Sequence, residues 1–300
     1  MNDFISIADI DRAKMEELLE IAATVKRERA AGRSDLAGKT VALVFHKPSL
    51  RTRQSFEVGV FELGGHPMYV TDREIKMGQR ESTHDIGKVL SRYVHGIMIR
   101  TFAHSDCVEL ADAADVPVIN GLTDLLHPCQ IMGDLQTCAE RGKALDDMVV
   151  AFVGDGNNVA NSWVNAAGNL PFELRIASPS GYEPDAGLLA EARSKGANVN
   201  IMDDAARAVE GADVIYTDVW TSMGQEGETD ERRAAFRSYQ VNDDLVAGAA
   251  DDAIVLHCLP AHRGEEITDS VIDGPHSAVF DQAENRLHAQ KAIMIDLMGE

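Results

Sequence analysis

The segment Ser49-Leu50-Arg51-Thr52-Arg53 places hydroxyl and guanidinium side chains where a predicted strand meets a predicted helix. It follows the apolar run 40–46 and precedes the segment 54–63, in which apolar residues recur at helical spacing. A helix start presents free backbone N–H groups and the positive end of the helix dipole, and guanidinium groups bind oxyanions in a forked geometry. These residue types favour a phosphate site. The simpler alternative, a Ser49 helix cap with exposed arginines, stays open for this turn taken alone.

Further polar clusters follow other predicted strands. They are Arg100, His127-Pro128-Cys129-Gln130, Asp155-Gly156-Asn157-Asn158, Asp218 and His257-Cys258-Leu259-Pro260. Binding sites of parallel α/β sheets lie beyond the C-terminal ends of the strands. We therefore expect all of these clusters and the Ser49 turn to face one cleft.

Arg100 and His127 suit the same chemistry. Arg100 ends an apolar strand, and a buried guanidinium group needs an anionic partner. His127 is either an ordinary buried histidine or a donor that polarises a carbonyl oxygen. Gln130, three residues later, adds an amide whose carbonyl can accept from an NH₂ group.

The sequence of the loop 154–158 has only a superficial likeness to that of a dinucleotide-binding loop. Val159 holds the place of the third glycine, and no acidic residue ends the next predicted strand. A dehydrogenase is therefore disfavoured. The adjacent Asn157 and Asn158 suit a neutral or zwitterionic group, or form a plain turn.

Two segments near the C-terminal half have open alternatives. The loop Asp218–Gly224 carries Trp and Met and is either a lid over a ligand or a loop packed on the core. His257, Cys258 and His262 offer only three metal ligands and no Cys-x-x-Cys pair supports them, so no metal is expected. Cys258 is either a small buried apolar residue or a thiol beside a reacting group.

These clusters must be positioned by alternating strands and helices. A first amphipathic helix covers 10–25, and further helices lie near 50–63, 82–93, 105–114 and 130–141. Strands lie near 40–46, 67–70, 96–100 and 116–119, and then near 148–153, 173–177, 198–201, 213–217 and 253–256. The alternation predicts an α/β fold of two doubly wound domains, each a parallel sheet with helices on both faces.

Composition limits the function and the compartment. The 300 residues suit two domains, and no apolar stretch is long enough to span a bilayer. No signal peptide is visible, and the spacing of the four cysteines predicts reduced thiols, so we expect a cytoplasmic protein. The net charge of −21 argues against binding to nucleic acid or to anionic membranes. An anionic substrate would need a local cationic pocket, whereas the global field would attract a cationic one.

Taken together, the motifs resemble those of the ornithine carbamoyltransferases, within the aspartate/ornithine carbamoyltransferase family. The resemblance covers almost the whole chain, and the motifs occur in the order of the family. They are Lys47–Arg53, Arg100, His127–Gln130, Gly154–Asn158, Asp218 with Ser222-Met223-Gly224, His257–Pro260 and Ala283–Arg286. Each motif alone is modest support, but the ordered set is highly specific.

The resemblance implies transfer of a carbamoyl group from carbamoyl phosphate to the δ-amine of L-ornithine, without a cofactor, in arginine biosynthesis. It also implies a carbamoyl-phosphate domain over 1–143, an ornithine domain over 144–285 and a final helix over 286–300 that packs on the first domain. A homotrimer, or a multiple of trimers, is implied as well. The length of 300 residues, without extensions, favours a biosynthetic rather than a degradative enzyme.

The resemblance also assigns roles to single residues. Phosphate and carbamoyl contacts are implied for Ser49, Leu50, Arg51, Thr52, Lys76, Arg100, His127, Gln130, Cys258, Leu259 and Arg286. Ornithine contacts are implied for Asn158, Asp218, Ser222 and Met223. The catalytic set is Arg100, His127, Cys258 and Asp218, in which Cys258 accepts a proton or only positions the amine.

The chain departs from the family pattern at two positions. Leu50 stands where a hydroxyl residue is usual, and Lys76 stands where many members have a glutamine that reaches a neighbouring subunit. The Ser-Met-Gly loop at 222–224 disfavours an aspartate carbamoyltransferase, and the presence of Arg51, Arg100 and His127 disfavours an inactive binding protein. Carbamoyltransferases of putrescine or acylated ornithine stay open.

Overall fold

The strands of the protein form two parallel sheets, each in its own compact unit. The computed structural model describes residues 2–78, 80–221 and 226–299. Unit 1 comprises Met1–Gln136 and Glu284–Glu300, and unit 2 comprises Thr137–Ala283. The predicted α/β class and the two-domain organisation are confirmed. The limits at 143 and 285, and the assignment of a substrate to each domain, stay predictions.

Unit 1 contains a four-stranded sheet of order β2-β1-β3-β4. Its strands are β1 (Thr40–Phe45), β2 (His66–Thr71), β3 (Gly96–Arg100) and β4 (Val118–Leu122). Its helices are α1 (Arg12–Arg27), α2 (Leu50–Glu62), α3 (Asp72–Ile75), α4 (Thr83–Leu90), α5 (His104–Ala113) and most of α6 (Pro128–Glu140). The chain leaves β1 toward β2 on one side and returns to β3 on the other. Since such crossovers are right-handed, the connecting helices cover both faces of the sheet.

Unit 2 contains a five-stranded sheet of order β7-β6-β5-β8-β9. Its strands are β5 (Val149–Val153), β6 (Glu173–Ala177), β7 (Asn198–Met202), β8 (Val214–Thr217) and β9 (Ile254–His257). Its helices are α7 (Asn158–Ala167), α8 (Ala186–Ser194), α9 (Ala205–Val209), α10 (Thr229–Phe236), α11 (Asp243–Val246) and α12 (Asp269–Ile272). Helix α13 (Val279–Met298) begins in unit 2 and ends in unit 1.

The strand order places the polar clusters beside the switch points of the two sheets. β1 and β3 are neighbours in the first sheet, and β5 and β8 are neighbours in the second. At both places the chain changes its direction of travel across the sheet. Side chains that follow these strands therefore border the crevices in which α/β sheets bind ligands.

Strand β4 differs most from its predicted position. The sequence predicts a strand near 116–119, whereas the strand begins after Pro117 and continues through Asn120 and Gly121 to Leu122. The N-terminal segment explains the extension, because the Asn120 N–H donates to Phe4 O at 2.8 Å and Asn120 Nδ2 donates to Ile5 O at 2.9 Å. A contact so distant in sequence leaves no local pattern.

Apolar side chains fill the core of each unit. In unit 2, Trp163 packs edge-on against Phe172, and Phe152 stacks on Tyr216 with ring centroids 5.4 Å apart. All four cysteines belong to the described residues, and each is present as a thiol and not in a disulfide. Among the described residues, no helix combines the length and apolarity that a membrane crossing requires.

Candidate active site

The first turn of α2 carries the predicted phosphate residues. Ser49 caps the helix, and its Oγ accepts from the Thr52 N–H at 3.3 Å. Thr52 is fully buried, Arg51 is half-buried and the Leu50 side chain is 67% exposed. Leu50 can thus serve an anion only through its backbone. Ser49 is a cap, as the simpler alternative had it, and a capped helix start still attracts an anion.

Two guanidinium groups meet at the Thr52 hydroxyl. Arg100 Nη1 donates to Thr52 Oγ1 at 3.3 Å, and Arg286 Nη2 donates to the same oxygen at 3.1 Å. Arg100 ends β3, Arg286 lies in α13, and both side chains are buried. Two buried positive charges at one hydroxyl repel each other, and an anion beside them would relieve the repulsion. The cluster therefore suits a phosphate.

His127 adds an uncharged ring beside these cations. Its side chain is buried directly before α6. Burial holds the pKa of His127 well below its usual value, and the charges of Arg286, Arg100 and Lys47 lower that pKa further. The imidazole is consequently neutral at pH 7 and keeps one N–H group that can donate to a carbonyl oxygen.

Gln130 presents a buried amide in the first turn of α6. Its Nε2 donates to Asp134 Oδ1 at 2.8 Å, which fixes the orientation of the amide. Its Oε1 is buried and accepts no hydrogen bond within the described part of the chain. A buried acceptor left in this state costs ~1–3 kcal/mol. An N–H group of a ligand would remove that cost.

Lys76 is the remaining residue of unit 1 for which a phosphate contact is predicted. It ends α3 in the left-handed conformation, with a φ of 45°, and its side chain is exposed. Between Lys76 and Thr52, Arg100, His127 or Arg286, the structure describes no hydrogen bond or ion pair. Its part in phosphate binding stays a prediction.

In unit 2, three donors hold the Asp218 carboxylate after β8. Asn157 Nδ2 donates to Oδ2 at 2.7 Å, while the Val219 N–H and Cys258 Sγ donate to Oδ1 at 2.8 and 3.0 Å. Asp218 is buried and Cys258 is half-buried. Cys258 thus contacts the carboxylate as a donor, and its role as a proton acceptor or as a group that only positions the amine stays a prediction.

His257 belongs to a buried network that the sequence did not reveal. Its Nδ1 accepts from the Leu259 N–H at 2.9 Å, so the ring proton is on Nε2, which lies 3.0 Å from Glu266 Oε1. Both side chains are 0% exposed, and Glu266 also accepts from the His262 N–H at 2.6 Å. The network fixes the loop after β9, in which Leu259 has a φ of 57°. A glutamate in an irregular loop gives no periodic signal by which sequence reasoning could have found it.

Asp218, Cys258 and His257 also lie close enough together to be considered as a metal site. Asp218, His257 and Cys258 place potential ligand atoms within 4.8 Å of one another. Both ring nitrogens of His257 are already engaged, however, so this ring has no lone pair for a metal ion. The donor set fits recognition of an organic group better than a metal.

The structure describes only one of the three remaining residues for which an ornithine contact is predicted. Asn158 is the first residue of α7 and is half-buried, as is Leu259. Ser222 and Met223 lie outside the described residues, so the alternatives of a lid or a packed loop stay open. The structure thus brings Thr52, Arg100 and Arg286 together in unit 1, and Asp218 and Cys258 together in unit 2. The single cleft for all of the predicted residues stays a prediction.

A buried ion pair supports the loop after β5. Asp155 Oδ2 lies 3.1 Å from Arg232 Nη1, and that same nitrogen donates to Trp220 O at 2.9 Å. Burial raises the pKa of Asp155 to about 6, although the charge of Arg232 lowers it. Asp155 and Arg232 therefore join the loop that carries Asn157 to the segment that follows Asp218.

Family models match both halves of the chain. Residues 2–140 match the carbamoyl-phosphate-binding domain of aspartate/ornithine carbamoyltransferases, and residues 146–297 match the aspartate/ornithine-binding domain. Thr52, Arg100 and His127 lie within the first match, and Asp218, Cys258 and Arg286 lie within the second.

Individual proteins are similar over nearly their full length. The ornithine carbamoyltransferase of Syntrophus aciditrophicus is 50% identical over 295 residues, which cover 97% of this chain and 98% of the relative. The solved ornithine carbamoyltransferase of Pyrococcus furiosus is 46% identical with a TM-score of 0.95, and the alignment covers 99% of this chain and 97% of that one. The solved anabolic ornithine carbamoyltransferase of Campylobacter jejuni is 34% identical with a TM-score of 0.94, and the alignment covers 99% of both chains.

Proposed function

The chain belongs to the aspartate/ornithine carbamoyltransferase family, and from that membership we propose that it carries out the reaction named for its relatives. It transfers the carbamoyl group of carbamoyl phosphate to the δ-amine of L-ornithine and yields L-citrulline and phosphate. The observation that carries the proposal is the convergence of Arg100 and Arg286 on Thr52 beside the neutral His127. The capped start of α2 and the cations match a phosphate, and the imidazole matches a carbonyl oxygen.

Unit 1 supplies the groups for carbamoyl phosphate. Ser49, Leu50, Arg51 and Thr52 bind the phosphate through side chains and first-turn N–H groups, and Arg286 adds charge. Arg100 bridges phosphate and carbonyl oxygen, and His127 donates to that oxygen. Negative charge develops there when the amine attacks, and one such donor contributes ~3 kcal/mol to the transition state. Gln130 accepts from the carbamoyl NH₂ group through its Oε1, which has no hydrogen-bond donor among the residues that the structure describes.

Unit 2 supplies the groups for ornithine. Asp218 attracts the δ-ammonium group, Cys258 and Leu259 border it, and Asn158, Ser222 and Met223 bind the rest of the molecule. The amine must lose its proton before it attacks, which costs about 4–5 kcal/mol near neutral pH. Cations of the carbamoyl-phosphate site favour the loss of that proton to water. The C–N bond then forms, the bond between the carbonyl carbon and the phosphate oxygen breaks, and the departing phosphate accepts the second proton that the nitrogen loses. The thiol of Cys258, which donates to Asp218, positions the amine.

The biological setting is part of the same proposal. We infer a cytoplasmic homotrimer, or a multiple of trimers, that acts in arginine biosynthesis without a cofactor. The anabolic designation of the Campylobacter jejuni relative supports the biosynthetic direction. Leu50 and Phe61, which are 67% and 73% exposed along α2, provide apolar surface that a neighbouring subunit could cover.

A citrulline assay on the purified protein tests the activity. L-Ornithine, putrescine, N-acetylornithine and aspartate are compared as acceptors, each with carbamoyl phosphate, while phosphate release is followed in parallel. We expect citrulline formation with L-ornithine and equal release of phosphate. Release of phosphate that does not depend on ornithine, or a preference for another acceptor, would contradict the proposal. Light scattering during size exclusion measures the number of subunits.

A further inference from the structure

We propose that Asn157 is a positioning residue that aims the Asp218 carboxylate at the reacting amine, an inference that rests on the proposed ornithine carbamoyltransferase activity. The sequence predicts that Asn157 belongs either to a plain turn or to a loop that recognises a neutral or zwitterionic group. In the structure its side chain accepts two hydrogen bonds from the first turn of its own helix and donates one to Asp218.

The oxygen of the Asn157 amide is committed to helix α7. As the cap residue, its Oδ1 accepts from the Val159 N–H at 2.9 Å and from the Ala160 N–H at 3.3 Å. Because this end of the amide must be the oxygen, the other end must be the NH₂ group. That group faces Asp218 Oδ2 at 2.7 Å. The orientation of Asn157 thus follows from the cap itself.

The three donors to Asp218 come from separate segments and fix its plane. Asn157 follows β5, Val219 follows Asp218 itself, and Cys258 follows β9. The terminal torsion of an aspartate is soft, so a carboxylate without such donors rotates easily. An amide donor also stabilises the carboxylate without adding charge. Asn157 therefore sets which lone pairs of Asp218 face the amine, and the attack geometry depends on that direction.

Two substitutions separate the cap from the contact with Asp218. Asn157→Ser keeps a cap oxygen and removes the NH₂ donor, and Asn157→Asp keeps the cap and places a second carboxylate against Asp218. We expect Asn157→Ser to lower kcat/KM for ornithine by about 10- to 100-fold, with an unchanged KM for carbamoyl phosphate. Asn157→Asp should cause a similar loss and move the pH optimum upward, because the added charge stabilises the ammonium form of the amine.

A matched control is available in the same unit. Asp185 caps α8, where its Oδ1 accepts from the Gly187 and Leu188 N–H groups at 2.9 and 3.0 Å, and the structure describes no bond from it to Asp218. Asp185→Ser should leave both kinetic constants unchanged. Circular dichroism and thermal unfolding of every variant show whether it folds.

The outcomes distinguish this inference from the proposed function. Suppose that the parent protein is active and that Asn157→Ser has the same ornithine kinetics and the same pH profile. This result would overturn the inference alone, and Asn157 would be only a helix cap. A parent protein that forms no citrulline would overturn the proposed function and this inference together. An equal rise in the KM values of both substrates in Asn157→Ser would also overturn the inference about Asn157, because the orientation of Asp218 concerns only the amine.

Discussion

At the residue scale, Thr52 is the point on which the anion site depends. Its hydroxyl accepts from Arg100 and Arg286, so it holds two flexible cationic side chains in a fixed relation before any ligand binds. The fully buried position makes these bonds stronger than they would be in water. Such preorganisation is what a site for a doubly charged phosphate requires.

Thr52→Val tests this dependence, because valine keeps the shape and removes the acceptor. Two bonds to charged donors are lost, so we expect kcat/KM for carbamoyl phosphate to fall by about 10- to 100-fold while KM for ornithine changes little. Steady-state kinetics with each substrate varied in turn measures the effect. Thr24→Val is the matched control, since Thr24 also accepts from a guanidinium, that of Arg27, but on the exposed surface of α1. Equal losses in both variants would contradict the role given to Thr52.

His127 predicts a pH dependence of stability. Its pKa is well below the usual value in the folded protein, whereas the unfolded chain takes up this proton near pH 6.5. Below about pH 6.5 the unfolded state binds more protons, so the stability that the neutral ring contributes is fully present above that pH and is lost as the pH falls.

His127→Gln should remove this contribution. When the pH falls from about 7.5 to about 5.5, both proteins lose free energy of unfolding. We expect the variant to lose about 1.4 kcal/mol less than the parent. Urea titrations of both proteins at the two pH values measure how much each loses. A destabilisation of the variant that is the same at both pH values cancels in this comparison. Identical pH dependence in the two proteins would show that His127 is not held neutral.

At the element scale, the ends of the strands bring the chemistry together. The sequence placed Arg100 at the end of β3 and Asp218 after β8, and both positions agree with the structure. It could do so because parallel buried strands are uninterrupted apolar runs, which end abruptly at a polar residue. The strand pattern did not predict that the loop after β5 closely approaches the segment 182–184.

Gly156 makes that close approach possible. Its N–H donates to Tyr182 O at 2.8 Å, and a Cβ at this position would lie 2.6 Å from the same oxygen and still closer to the backbone of Glu183 and Pro184. Backbone cannot move aside as a flexible side chain can. The absent side chain therefore determines where the next residue, Asn157, lies as the cap of α7.

Gly156→Ala should destabilise unit 2 and displace Asn157. We expect a loss of about 1–3 kcal/mol in the free energy of unfolding, together with a higher KM for ornithine. Urea unfolding and steady-state kinetics measure the two effects. Gly248→Ala is the control, because its nearest contact would be Leu245 O at an ordinary 3.4 Å. A variant with parental stability would mean that the segment 182–184 yields without cost.

At the scale of the whole molecule, acidity opposes the local chemistry. The chain carries 49 acidic against 28 basic residues, yet Arg100, Arg286 and Lys47 lie close enough to His127 to lower its pKa. A phosphate ligand thus meets a repulsive overall field and an attractive local one. Burial of the local cations preserves their effect, because screening by salt acts mainly on exposed charges.

The excess of negative charge predicts that salt stabilises the protein. Self-repulsion among like charges destabilises the compact state, and salt screens it. We expect the urea midpoint of unfolding to rise when KCl increases from about 0.05 to 1 M, where the screening length falls to about 3 Å. Urea is the suitable denaturant because it adds no ions. A midpoint that falls with salt would mean that screened attractive ion pairs outweigh the net repulsion.

The class of fold, the order of the motifs and the residue types at the strand ends could all be predicted from the amino-acid sequence. Those features follow from local periodicity and from the apolar character of buried parallel strands, which a single chain records directly. Three contacts became known from the folded protein alone: Arg286 and Arg100 meet at Thr52, Glu266 fixes His257, and Asn157 holds Asp218. These contacts join segments that are separated along the chain by loops and whole elements. Their partners are chosen by packing and by the need to satisfy buried polar groups, and neither leaves a periodic trace in the sequence.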